Sequence, residues 1–227
     1  MNSNIQRLVG NFFANYFHLI AGTVRAHIFN LDHPRALIHS HTPIVFAGFH
    51  GQNRLVIAIM KYLEIPAEKP IGVVIAGDHR QEMLESLSRK LGYMTYAIGS
   101  SEHSLRGARE VLKAIIDLKS GQIACLFLAV DGPDGPAFEP KPGAAFIAQR
   151  AEASIVPMAI YSPQAVVLQH RWDQLAMPIP YSDVYIYFGE SIATSSNLKI
   201  DEILSQISES LKMATKEVKT LAEQQSG

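Results

Sequence analysis

His50 stands directly after the apolar run 44–49, which reads as a buried strand, and it is the one histidine that ends a core strand. An imidazole with an ordinary pKa of about 6.5 can take a proton from a hydroxyl and later return it. Such a base needs a carboxylate on its other ring nitrogen to orient it. Asp78, after the next strand, is the first candidate and Asp131 the second. Ligands of open α/β sheets bind beyond the carboxyl ends of the strands. The polar residues that follow each strand are therefore the site candidates: His50, Gly51, Gln52, Asn53 and Arg54; then Gly77, Asp78, His79 and Arg80; then Gly99, Ser100, Ser101, Glu102 and His103; then the segment 131–136 and Lys141.

The segment 131–136 reads Asp-Gly-Pro-Asp-Gly-Pro. One Asp-Gly-Pro makes a turn. Two in succession after a buried strand exceed what a turn needs, and their glycines would let backbone amides approach an oxyanion. His39, His41, His50 and His79 raise a metal centre, but no further ligand spacing resembles a zinc pattern, so no metal or other cofactor is expected. Cys125, within the apolar run 123–130, reads as a small buried hydrophobe. Trp172 and Asp173 fall in a polar loop and read as a partly buried anchor.

These positions need a scaffold, and the chain supplies an alternation of apolar strands and amphipathic helices. Strands are expected at 44–49, 71–76, 94–98, 123–130, 155–161, 165–170 and 184–189. Helices are expected at 54–63, 81–91 with Gly92 as its stop, 101–119 with a serine cap, and 144–151. The fold class expected is α/β, a mixed and mainly parallel sheet flanked by helices. Residues 3–29 form an amphipathic N-terminal helix whose stripe is rich in phenylalanine. Three placements suit it: packing on the core, lying in a lipid interface, or pairing in a dimer. A further amphipathic helix covers 199–222. With no repeat, linker or composition break, 1–227 reads as one domain with its core at 44–192.

Of the 227 residues, 48% are hydrophobic and 18% charged, which supports a packed core and excludes disorder. The net charge of -1 and the absence of a basic run exclude sequence-independent nucleic-acid binding. A lone cysteine, no secretory signal and no membrane-spanning apolar stretch lead to the expectation of a cytoplasmic protein that meets the cytoplasmic membrane only from its surface.

Read in order, Phe49-His50-Gly51, Gly99-Ser100-Ser101, the block 130–136, Lys141-Pro142-Gly143, Ile155-Val156-Pro157, Trp172-Asp173 and the stretch 178–182 resemble a bacterial branch of the lysophospholipid acyltransferase superfamily. The resemblance covers about 44–192. It implies a glycerolipid acyltransferase-like fold. It implies transfer of a fatty acyl group from acyl-CoA or acyl carrier protein to a hydroxyl of a lipid acceptor. His50 matches the family's base. Asp131-Gly132 matches the block that contacts the acceptor, and Val156-Pro157 the block near the acyl site. Arg54, Gly99, Ser100, Ser101 and Lys141 complete the substrate-binding candidates. The chain departs from the family at Leu55, where the superfamily has the aspartate of His-x-x-x-x-Asp, so the orienting acid must come from elsewhere and Asp78 is the choice. Ile98, Glu102, His103 and Asp134 replace basic residues, which argues against a phosphorylated acceptor. A catalytically degenerate lipid-binding protein of the same fold and a thioester hydrolase are the rival expectations.

Overall fold

The computed structural model describes residues 2–52, 54–56, 59, 62–98 and 105–226. Its centre is β2 (Ile44–Gly48), buried along its whole length. Successive side chains of a strand point to opposite faces. Val45 and Ala47 accordingly enter one core and Ile44 and Phe46 the other. A strand buried on both faces must be covered on both, and the helices do this.

Among the described residues the sheet has seven strands in the order β1-β9-β6-β2-β5-β3-β4. They are β1 (Arg25–Phe29), β9 (Asp183–Phe188), β6 (Ser154–Tyr161), β2, β5 (Leu126–Ala129), β3 (Ile71–Ala76) and β4 (Tyr93–Ile98). Every neighbouring pair is parallel except β6 with β9. On one face, α4 (Leu105–Lys119), α5 (Gly143–Ala151) and α6 (Ile200–Ser226) supply Ile115, Ala148 and Ile207 to the core. On the other, α1 (Ser3–Thr23) brings Ile20 against Ile44 and Phe46. Next to it lies α3 (Gln81–Lys90), which Gly92 ends at φ +80°, a conformation that favours glycine. The chain is thus α/β, with a mostly parallel mixed sheet between helices, as the strand–helix alternation implied.

Several local expectations change. The N-terminal helix stops at Thr23 rather than continuing to 29, and residues 25–29 become edge strand β1. The reason is a partner distant in sequence: Arg25 and His27 both bind Asp183 at the start of β9. The helix's buried side mixes small and large residues: Gly10 and Ala14 face inward with Phe17 and Ile20, while Ile5, Leu8, Phe12 and Leu19 remain exposed. Close approach to α3 selects the small residues, since a Cβ on Gly10 would lie 2.4 Å from the Met83 carbonyl oxygen. A short helix, α2 (Asp32–His39), follows β1. The helix expected at 54–63 falls partly outside the described residues; the described ones form turns and 3-10 positions, with the amides of Leu55, Ile59 and Tyr62 donating to the carbonyls three residues back. The expected strand 165–170 shrinks to β7 (Val166–Val167), paired only with β8 (Ala176–Met177). The serine cap of the helix 101–119 lies outside the described residues, and α4 is described from Leu105. No described helix is long and apolar enough to cross a membrane.

Candidate active site at the carboxyl end of the central strand

At the end of β2 the chain turns into a 3-10 segment, His50–Gln52, fixed by three contacts. The His50 amide donates to Asp131 Oδ1 at 2.8 Å. Gln52 Oε1 accepts from the Ile160 amide at 2.9 Å. Gly51 runs so close to the loop after β7 that a Cβ on it would be 2.1 Å from the Asp173 carbonyl oxygen. The His-Gly pair therefore has a steric basis: any side chain at 51 would drive the 173 loop away from His50.

That loop supplies the carboxylate. His50 Nε2 lies 4.0 Å from Asp173 Oδ2, and the Asp173 side chain is wholly buried. Arg171 grips the same carboxylate through two hydrogen bonds of 2.8 Å each. Between them Trp172 sets its ring 5.4 Å from the imidazole and packs on Gly135 of the second Asp-Gly-Pro turn, whose added Cβ would meet the indole at 2.6 Å. Burial lowers the His50 pKa to about 4, with Asp173 opposing and Arg54, Arg171 and Arg80 assisting. Burial works to raise the Asp173 carboxyl, but the Arg171 hydrogen bonds and charge outweigh it and hold it below the usual range. At neutral pH the site thus holds an unprotonated imidazole beside an ionised carboxylate. Nδ1 of His50 is buried and has no hydrogen-bond partner among the described residues.

His50 edges a cavity of about 760 Å³, a size that suits a small molecule or part of a lipid chain. Its walls are mostly apolar, including Val74, Ala76, Leu128, Leu112 and Ile147; Gly132 and Lys141 join His50 as its polar edge. A smaller cavity of about 130 Å³ lies between Phe17, Phe46, Tyr93 and Met158. The two share Val74, Ile75, Leu128 and Ala129. Strand pairing explains this: β3 and β5 pair only at Gly72–Leu126 and Val73–Phe127, then part.

The candidates from sequence are divided by this geometry. His50, Gly132 and Lys141 meet at the large cavity. Arg54 lies on the smaller one, its guanidinium 5.8 Å from the Phe17 ring centre. Asp78, expected to orient His50, instead binds its own neighbour Arg80, at 2.6 Å to Nη2 and 3.0 Å to Nε. No hydrogen bond or ion pair joins it to His50 among the described residues. Two residues beyond Asp78, Arg80 simply folds back onto it, and this lowers the carboxyl pKa. Asp131 is buried and uses both oxygens on backbone amides, of His50 and, at 3.3 Å, of Phe138. It braces the turn and does not face the cavity. Val156 and Pro157 are sealed inside β6 and do not line the large cavity. Gly99, Ser100 and Ser101 lie outside the described residues. His39 and His41 precede β2, at the opposite end of the strand from His50, and His39 meets Glu64 at 3.6 Å. The sequence reading missed Asp173 as the partner of His50. The available signal was Arg171-Trp172-Asp173, where alternate side chains can pair across the intervening ring.

No family model matches the chain. It is similar, at 24% identity over 174 residues, to the Uncharacterized protein RP090 of Rickettsia prowazekii (strain Madrid E), a match that spans 74% of this chain and 75% of that protein.

Proposed function

We propose that this protein is an O-acyltransferase that moves a fatty acyl group from a thioester, acyl-CoA or acyl carrier protein, to a hydroxyl of a lipid acceptor. The observation that carries the reading is the placement of His50, 4.0 Å from buried Asp173, at the rim of an apolar cavity of about 760 Å³. A hydrocarbon chain gains roughly 0.8 kcal/mol per buried methylene, so such walls favour an acyl substrate. The acyltransferase-like fold inferred from the motif order agrees with this.

In the proposed reaction Asp173, on the Nε2 side of the ring, orients His50. The imidazole takes the proton of the acceptor hydroxyl. The oxygen bonds to the thioester carbonyl carbon, the carbon–sulfur bond breaks, and the departing thiolate recovers the proton from the imidazolium. Asp173 steadies the imidazolium while it lasts. The backbone amide of Gly132, which lines the cavity at φ +68°, is the oxyanion donor in this reading. Lys141 lies beside Gly132 and would contact the polar part of a substrate.

Purified protein mixed with acyl-CoA or acyl carrier protein and a panel of lipid acceptors is expected to release free thiol and form acylated lipid. His50→Ala should slow release about 10²- to 10⁴-fold. Equal rates would remove His50 from the reaction. Thiol release without acylated lipid would make the protein a hydrolase, and lipid binding without any thiol release would make it a carrier.

A further inference from the structure

The outward side of α4 has a composition that the chemistry at His50 does not require. Taken at 100° per residue, its exposed arc holds Leu105, Ala108, Leu112 and Ile116 among Arg106, Arg109, Lys113 and Lys119, with no acidic residue in it. The apolar members protrude strongly: Leu105 is 79% exposed, Ile116 62% and Leu112 56%. Phe146 of α5 is also exposed, with the Arg150 guanidinium over its ring. The acids of the region lie to the side. Glu110 and Asp117 are half-buried on the flank, where Asp117 accepts from Tyr96 and Lys113; Glu152 pairs with Lys119. The Lys119–Glu152 pair is exposed and therefore weak.

Ala108, Leu112 and Phe146 are at once walls of the large cavity and exposed surface, so the cavity opens through this patch. We infer that the exposed face of α4, with Phe146 and Arg150, docks on an anionic lipid surface and turns the mouth of the His50 cavity toward the bilayer. Apolar side chains interleaved with cations on a convex helix match the interfacial mode, in which the side chains enter the acyl boundary and the cations meet headgroups. A folded acidic protein would leave four protruding apolar side chains without pockets to fill. The outer face of α1 differs, since its apolar residues are accompanied by only Arg7 as a fixed charge. The inference concerns a surface, and it stands whether or not His50 is a catalytic base.

The test is co-sedimentation of the full chain with vesicles of phosphatidylcholine or of an equimolar phosphatidylcholine–phosphatidylglycerol mixture. Binding should be stronger to the mixture and fall as salt rises. Arg106→Gln combined with Arg109→Gln should weaken it about 30-fold on the mixture, from roughly 1 kcal/mol per surface cation and 1.36 kcal/mol per decade. Leu105→Glu combined with Ile116→Glu should abolish it. Leu8→Glu combined with Phe12→Glu on α1 should leave the preference for anionic vesicles intact. All four positions on α4 are exposed, and circular dichroism checks that the variants fold. Vesicle binding unchanged in both α4 variants would overturn the inference. So would a loss confined to binding of acyl carrier protein, which would make this face a protein contact.

Discussion

Replacing Asp173 by Asn tests which carboxylate serves His50. The side chain keeps its shape and loses its charge. At the observed 4.0 Å, the attraction between an imidazolium and a carboxylate is about 1 kcal/mol in bulk water and about 4 kcal/mol at an effective dielectric of about 20. Losing it should cost one to three decades of imidazole proton affinity. The sign is fixed, because Asp173 is the group that holds the His50 pKa up against burial and three arginines. The ring's midpoint, about 4 in the parent, should therefore move lower, as read from its carbon and nitrogen resonances in an acid titration. Thiol release should slow by roughly ten- to several-hundred-fold, since the same charge would steady the imidazolium in the transition state. Asp78→Asn should leave both readouts near the parent, because Asp78 is bound to Arg80. An unmoved or raised midpoint in Asp173→Asn, or a slow Asp78→Asn with a fast Asp173→Asn, would refute the assignment.

Stability should respond to the same imidazole. The fold keeps His50 neutral down to about pH 4, whereas the unfolded chain protonates it near 6.5. Between these values the unfolded state binds more protons, so stability falls as pH drops through the window, by about 3 kcal/mol in full. His50→Gln should flatten that part of a urea-melt series, and an unchanged slope would show that the ring titrates normally. Gly51→Ala must push the Asp173 backbone aside and should cost about 1–3 kcal/mol in urea unfolding, together with most of the thiol release. A stable, active variant would mean that this approach is looser than it looks. Asp131→Ala strands the amides of His50 and Phe138 and should lower stability by about 2–5 kcal/mol, whereas a direct acceptor contact would instead raise KM with the melt unchanged.

The parts of the fold legible in the sequence are those dictated locally. A strand buried on both faces must be largely apolar, and β2 and β6 declared themselves that way. α3 and α5 likewise showed their helical periodicity. What periodicity did not carry is pairing at long range. β1 exists because Arg25 and His27 reach Asp183, 158 and 156 residues away, and nothing near position 25 announces it. In α1 hydrophobicity does not single out Gly10 and Ala14, which face inward beside Phe17 and Ile20 because the helix is pressed onto the backbone of α3.

The site shows the same division. A residue's place at the end of a strand is local, so His50 could be found from the run that precedes it. The orienting acid could not, because a carboxylate that follows a neighbouring strand is only near in topology; where it points depends on what else competes for it. Asp78 has Arg80 two residues away and Asp131 has two backbone amides, and both competitors win. Asp173 has a competitor as well, Arg171, yet that bidentate grip holds the carboxylate still and leaves Oδ2 toward Nε2. An arginine on the far side of a base's carboxylate thus has a cost and a use. It weakens the pull on the imidazolium, and it fixes the direction of that pull. Arg171→Gln should separate the two, raising the His50 midpoint through loss of a nearby cation while slowing thiol release through loss of Asp173 alignment. If midpoint and rate rose together, the arginine would be only a brake on the base.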